Sequence, residues 1–157
     1  MKKTNVMRTL ERKGILYTAY ETKTLSDQEI DAVSVSNALG VDKSMVYKTL
    51  VVKGDLHGYI VAVIPADAQL NLKALAKVTQ NKKVEMLLSK QLQEVTGYIR
   101  GGCSPIGMKT LYPTVIDVKS IALNGIIISA GRRGQQVELN SHDLAKITNG
   151  SFASITY

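Results

Sequence analysis

The feature that most limits the fold of this chain is the irregular order of its short strand-like and helical segments. Strand-like patterns occur at residues 15–20, 46–52, 59–64, 84–86, 114–118, 126–129 and 136–139, and helical patterns at 4–13, 26–39, 72–78, 89–97 and 141–147. The last three strand patterns have no helix between them, which predicts antiparallel pairing there. The order favours an α+β (α/β mixed) fold with a mixed, barrel-like sheet flanked by helices over a doubly wound parallel sheet.

The 157 residues carry no repeat, low-complexity tract or linker, so we predict one domain over residues 1–157. A chain of this length buries roughly 70% of its unfolded surface, so its core needs no disulfide or metal. The lone Cys103 has no disulfide partner within the chain, which favours a reducing cytoplasm. No apolar run approaches the ~18 residues that cross a membrane, so we expect no membrane partner.

A glycine-rich segment at residues 96–110 is the first candidate binding loop. The adjacent Gly101 and Gly102 allow backbone conformations that a Cβ forbids, and Ser104 and Pro105 favour a turn. Such a loop can aim N–H groups at a carboxylate, an ester carbonyl or a phosphate. The same residues also suit a tight connection with no ligand.

The net charge of +7 makes nucleic acid a natural partner. Aromatic residues are only 5% of the chain and tryptophan is absent, which disfavours a broad base-stacking platform. Because Lys and Arg are spread along the sequence, the charge alone also fits a merely soluble surface.

Residues 35–50 look like a helix-turn-helix, with Gly40 at the turn and Asp42 as a cap for a recognition helix. The β-branched Thr49, Val51 and Val52 favour a strand where that helix should continue. We therefore expect no sequence-specific DNA binding, and keep a DNA-binding regulator as an alternative function.

Other motifs carry weaker signals. Gly102 and Gly107 are spaced like a phosphate-binding P-loop, but Met108 separates Gly107 from Lys109, and a true P-loop has no such spacer. His57 and His142 lack ligand partners at useful spacing, so we predict no metal and no cofactor. Cys103 is more typical of a small loop residue than of a nucleophile.

Lys48 interrupts the apolar run at residues 45–52. In a strand it lies on the same face as Val46 and Leu50. It is either a surface lysine on a half-exposed strand or, at the rim of a glycine-lined pocket, a ligand for phosphate, carboxylate or a polarised carbonyl.

Together these segments resemble the YbaK/EbsC-type aminoacyl-tRNA deacylases, over about residues 15–147. The resemblance is carried by Val46-Tyr47-Lys48-Thr49-Leu50, Gly97-Tyr98, Gly101-Gly102-Cys103-Ser104-Pro105, Pro113-Thr114 and Ser129-Ala130-Gly131-Arg132-Arg133-Gly134. It implies a free-standing editing enzyme, an ester hydrolase without metal, whose substrate is the acceptor end of mischarged tRNA, above all cysteinyl-tRNA(Pro). It also implies prolyl-tRNA synthetase as a partner.

By position, the resemblance makes Lys48 the essential catalytic residue. It places Tyr20, Thr49, Gly101, Ser129 and Gln136 in the substrate pocket, and the Gly101 and Gly102 amides would bind oxygen.

Gln136 stands where relatives carry an aspartate, Asp31 where they carry an aromatic residue, and Thr110 and Leu111 where they carry basic residues. These departures bear on specificity and keep a non-catalytic tRNA- or synthetase-binding relative as a third function. In the resembling enzymes the thiol of the substrate cysteine itself attacks the ester and leaves as a thiolactone.

Overall fold

The computed structural model describes residues 2–22 and 32–157. The described helices are α1 (Asn5–Arg12), α2 (Ala32–Leu39), α3 (Leu72–Val78), α4 (Ser89–Thr96) and α5 (Ser141–Thr148), with short 3₁₀ helices at Lys43–Met45 and Val118–Ala122. The strands are β1 (Thr18–Glu21), β2 (Tyr47–Gly54), β3 (Gly58–Pro65), β4 (Val84–Met86), β5 (Thr114–Asp117), β6 (Ile126–Arg132), β7 (Gln135–Leu139) and β8 (Ser151–Ala153).

The strands form two sheets. One is antiparallel, in the order β1-β7-β6. The other is mixed, in the order β4-β2-β3-β5-β8, with β5 parallel to both β3 and β8. A bridge between Val46 and Ile127 links the two sheets. The predicted α+β fold with a mixed sheet is confirmed, but the described strands form two joined sheets and not a closed barrel.

The predicted antiparallel pairing is confirmed for β6 with β7 and wrong for β5. A 3₁₀ helix at Val118–Ala122 follows β5 and separates it from β6, so the two strands enter different sheets. All four residues of β5 are buried, as expected of a strand that pairs with parallel neighbours on both sides. The sequence patterns also missed β8, whose three residues are too few and too exposed to show an apolar pattern.

Most of the core lies between the two sheets. Its buried side chains come from both sheets and from α1 and α5, and include Met7, Leu10, Val51, Val63, Ile116, Ile126, Ile128, Val137 and Leu144. A second cluster packs α3 against the other face of the five-stranded sheet, around Ile60, Ile64 and Leu75. None of the described helices is long and apolar enough to cross a membrane.

The helix-turn-helix interpretation of residues 35–50 is wrong. Helix α2 does end at Leu39, but Asp42 caps only the short 3₁₀ helix, where its carboxylate accepts from the Ser44 N–H at 2.8 Å. The chain then enters β2, as the β-branched residues there favour. The first part of the helical pattern at 26–39, residues 26–31, lies outside the described residues. Ser89 begins α4 but does not cap it: the preceding Leu88 is the N-cap, and its N–H donates to the Gln91 side chain.

Candidate active site

A cavity of about 400 Å³ lies where the two sheets meet. Its walls are the start of β2, the middle of β6, Gln136 on β7, the glycine loop and the turn between β6 and β7. The Val46–Ile127 bridge forms part of its lining. This volume lies within the range of about 300–1,000 Å³ that is usual for small-molecule sites.

The free edge of β2 explains why neighbouring residues of one strand both reach the cavity. Successive side chains of a strand point to opposite faces, yet Lys48 and Thr49 both line it. Among the described residues, β4 pairs with β2 only from Val52 to Gly54, so the first half of β2 is an edge on that side. Both faces of β2 therefore border the same cavity.

Two polar atoms in the cavity wall have no hydrogen-bond partner among the described residues. They are the buried Thr49 Oγ1 and Gln136 Oε1. The other end of the Gln136 amide is occupied, because Nε2 donates to Thr22 Oγ1 at 3.2 Å. A buried polar group without a partner costs about 1–3 kcal/mol. These two oxygens therefore indicate a site that a ligand with hydrogen-bond donors would complete.

The mouth of the cavity is positively charged. Lys48, Arg100 and Arg133 line it, and the described lining residues include no Asp or Glu. The guanidinium of Arg133 is held in place because its Nε donates to the Arg100 carbonyl at 2.8 Å. This arrangement suits a ligand that brings phosphate or carbonyl oxygens.

Two acidic groups in the wall are held in their neutral forms. Burial raises the pKa of the Cys103 thiol to about 12, although a hydrogen bond with Thr96 opposes the shift. Burial, with a smaller contribution from the charge of Asp117, raises the pKa of the Tyr47 phenol to about 12. Neither side chain supplies an anionic nucleophile or base at neutral pH.

The sequence model of the aminoacyl-tRNA editing domain matches residues 28–147 of this chain. The chain belongs to that family. The resemblance drawn from the sequence is thereby confirmed, as is the expectation of an aminoacyl-tRNA deacylase, with aminoacyl-tRNA as substrate.

Among relatives of this editing domain, EbsC of Enterococcus faecalis is 49% identical over 154 residues, covering 98% of this chain and 93% of EbsC. Its name assigns it provisionally as a Cys-tRNA(Pro)/Cys-tRNA(Cys) deacylase. The crystal structure of the hypothetical protein APE2540 matches with a TM-score of 0.88 and 21% identity, covering 98% of this chain and 100% of that one. A structure described provisionally as a trans-editing enzyme for prolyl-tRNA synthetase matches with a TM-score of 0.82 and 18% identity, covering 99% of both chains. The two structures establish the fold.

Five of the residues singled out from the sequence are brought together in the editing domain. Lys48, Thr49, Gly101, Ser129 and Gln136 all line the cavity. Their individual roles remain predictions. The structure shows that three strands and the glycine loop bring the five residues together. Asp31, another of the departures noted from the sequence, lies outside the described residues.

Tyr20 and Gly102 are not among the residues that line the cavity. Tyr20 lies opposite Gln136 in the sheet, but its hydroxyl donates to Glu138 Oε1 at 2.8 Å. That hydrogen bond is the main reason why the pKa of Tyr20 is raised. The Gly102 N–H donates to the Ile99 carbonyl at 3.0 Å, so it does not point as a free donor into the site.

Gly102 instead has a packing role. A Cβ added at this position would lie 3.2 Å from the backbone nitrogen of Arg133. Glycine therefore lets the loop that carries Arg100 and Gly101 pack closely against the turn that carries Arg133.

Sequence reasoning did not assign Arg100, Arg133 or Thr22 to the site. Arg100 directly precedes the glycine pair, and Arg133 lies in the glycine-flanked turn of residues 131–134. A basic residue beside a glycine turn was the signal that could have identified both arginines. Thr22 carried no comparable signal, since it reaches Gln136 only through the pairing of β1 with β7.

Proposed function

We propose that this editing domain acts in trans on mischarged tRNA and hydrolyses cysteinyl-tRNA(Pro). The observation that carries this proposal is the combination, in one cavity, of a cationic mouth with two buried oxygens that no described residue pairs. The provisional assignment of EbsC, at 49% identity, supports the choice of cysteine and of the proline tRNA. We place the reaction in the cytoplasm, where aminoacyl-tRNA is used.

The cavity fits the two ends of an aminoacyl-adenosine in different ways. Lys48, Arg100 and Arg133 suit the phosphate and carbonyl oxygens of the terminal nucleotide and its ester. The α-ammonium group of the amino acid has only hydrogen-bond donors. It therefore matches Gln136 Oε1 and Thr49 Oγ1, which accept no hydrogen bond from any described residue.

The chemistry we propose uses the substrate as its own nucleophile. The cysteine thiol attacks the ester carbonyl, a sulfur–carbon bond forms, and the bond to the ribose oxygen breaks. The thiol proton passes to that departing oxygen, which releases uncharged tRNA and a thiolactone that water later opens. Lys48 would stabilise the negative charge that develops on the carbonyl oxygen. The neutral state of Cys103 and Tyr47 supports a route that needs no anionic protein nucleophile.

We also propose that residues 1–157 function as one editing domain. The family match begins at residue 28, but α1 packs against β6 and β1 pairs with β7. Prolyl-tRNA synthetase is the partner we propose, because a pocket shaped for proline discriminates poorly against a small side chain such as cysteine.

A deacylation assay on a panel of charged tRNAs tests the proposal. We expect rapid hydrolysis of Cys-tRNA(Pro), and little of Pro-tRNA(Pro). Ser-tRNA(Pro), which replaces the thiol with a weaker nucleophile, should react at least about 10²-fold more slowly. Equal rates for the serine and cysteine esters would exclude thiol assistance, and a folded protein that deacylates no charged tRNA would support the non-catalytic alternative.

A further inference from the structure

We infer that the acceptor stem of tRNA leaves the cavity across a continuous cationic surface on the β6–β7 turn and the start of α1. This surface, which we call the turn–helix band, comprises Lys2, Lys3, Arg8, Arg100, Arg132 and Arg133. The inference rests on the proposed function, since it describes how the substrate of that same cavity is held.

A chain of contacts connects the cavity to the band. Arg133 and Arg100 line the cavity and are joined by the 2.8 Å hydrogen bond from Arg133 Nε. Arg132 is adjacent in the turn and pairs with Gln135 across it. The Gln135 side chain then donates from Nε2 to the Lys2 carbonyl at 3.1 Å. The start of the chain is therefore fixed directly beside the turn.

Helix α1 extends the band beyond Lys2. Its N-cap Thr4 is buried and directly follows Lys2 and Lys3, whose side chains are exposed. The Arg8 guanidinium donates to the Lys3 carbonyl at 3.1 Å, which keeps it at the same end of the helix. Below it, Val6 packs against Gly131 of β6.

The basic side chains of the band are open to solvent. All six of its basic residues are exposed. Two acidic residues lie close to it: Glu11 pairs with Lys3, and Glu21 lies opposite Gln135 in the sheet. Lys3 is therefore partly neutralised, and Lys2, Arg8 and Arg132 carry most of the charge outside the cavity.

A nucleic-acid backbone is the partner that this surface fits best. Exposed Lys and Arg side chains in a row bind successive phosphates and release counterions, without any need to read bases. The described band offers no aromatic side chain for stacking, so its contacts would be with phosphates. An acidic face of a synthetase is the rival partner, and the experiment below separates the two.

The chain offers a matched control surface. Lys82 and Lys83 are exposed, and their backbone N–H groups donate to the Asp55 side chain. Asp55 directly follows the last residue of β2, whereas Lys48 lies near the start of that strand. Asp55 is seven positions beyond Lys48, which is about 23 Å along an extended chain. Lys82→Gln/Lys83→Gln therefore removes two positive charges far from the cavity. Lys2→Gln/Arg132→Gln removes two from the band without altering any residue that lines the cavity.

The test measures binding of uncharged proline tRNA over a salt series. We expect the band variant to bind about 10-fold more weakly at low salt. The slope of log K against log salt should become shallower by about 1.5, because each lost phosphate contact contributes roughly 0.7–0.9. The control variant should match the wild type in both quantities. The cysteinyl ester of adenosine, which carries no phosphate, should be hydrolysed equally by all three proteins.

An unchanged slope in the band variant, or an equal change in the control, would overturn the inference. Normal tRNA binding with lost stimulation by prolyl-tRNA synthetase would also overturn it, and would assign the band to a protein partner. The two proposals can also fail separately. If the wild type deacylates neither the adenosine ester nor Cys-tRNA(Pro), but the band variant shows the predicted change in salt slope, the proposed function is contradicted and the band is supported.

Discussion

The two ends of strand β2 differ in how completely their polar groups are paired. At the end where β2 turns into β3, Asn81 Oδ1 accepts from the backbone N–H groups of Leu56 and His57 at 2.9 Å each. The Asn81 Nδ2 group donates to Thr79 Oγ1. At the other end, Thr49 Oγ1 is buried and has no hydrogen-bond partner in the part of the chain that the structure describes. The paired end stabilises the fold, whereas the unpaired end costs stability and is available to a ligand.

The largest effect we predict is at the unpaired end. Lys48→Ala should lower the rate of Cys-tRNA(Pro) deacylation by about 10²–10³-fold, since this is the usual cost of losing one contact to a developing oxyanion. Single-turnover kinetics and a thermal unfolding curve would measure rate and fold together.

Lys53→Ala is the matched control for Lys48. Lys53 lies on the same strand, exposed, with its ammonium 5.9 Å from the centre of the Tyr59 ring. We expect near-normal activity from this variant. A folded Lys48→Ala protein with normal turnover would remove Lys48 from the chemistry.

At the paired end, Asn81→Ala should show the opposite pattern. It removes the acceptor for two N–H groups of the hairpin, so we expect a loss of about 2 kcal/mol in the free energy of unfolding. Deacylation below the unfolding transition should stay within about twofold of wild type. Denaturant titration measures the first quantity, and a large loss of activity in the still-folded variant would break the contrast between the two ends.

Thr49→Val sharpens the comparison within the cavity. The valine keeps the shape but removes the unpaired hydroxyl, so stability should hold or rise by about 1 kcal/mol. The apparent KM for Cys-tRNA(Pro) should rise about 10-fold if the hydroxyl binds substrate. A variant that is both destabilised and fully active would show that this oxygen serves the fold.

The smallest effect on activity should come from Cys103→Ala, which we expect to stay within about threefold of wild type. A well-folded variant without activity would make Cys103 the nucleophile and exclude the mechanism proposed above.

The same variant should alter the pH dependence of stability. The thiol has a pKa of about 12 in the fold and about 8.5–9 when unfolded, so the unfolded chain loses its proton first as pH rises. Wild-type stability should therefore fall between pH 9 and 10, by about 1 kcal/mol more than that of Cys103→Ala. Urea titrations at pH 7, 9 and 10 measure this difference, and parallel profiles would contradict the buried, protonated thiol.

The fold was predictable where local pattern and tertiary structure agree. Helix α3 and strand β4 have the predicted bounds, because apolar spacing and caps define them locally. Sheet order was not predictable to the same extent. The position of β5 between β3 and β8 depends on contacts with residues distant in sequence, which its own four residues do not encode.

The site was predictable in its parts but not in its assembly. The charge of Lys48 within an apolar strand and the glycine pair were visible in the sequence, and the family resemblance added Ser129 and Gln136. Burial without a partner at Thr49 and Gln136 is a property of the packed structure. The role of Gly102 also depended on packing, because only the fold shows that the β6–β7 turn lies against it.

The pairing of β1 with β7 has a consequence for the order of folding. Thr18–Glu21 pairs with Gln135–Glu138, so β1 has to wait for a partner strand that is synthesised much later. Contacts so far apart in sequence carry a large loop-closure cost and slow folding. On a translating ribosome, β1 remains an unpaired edge until β7 emerges, and the cavity cannot form before then. The cavity therefore forms only after β7 has been synthesised, and a chain that stops before β7 exposes a strand open to aggregation.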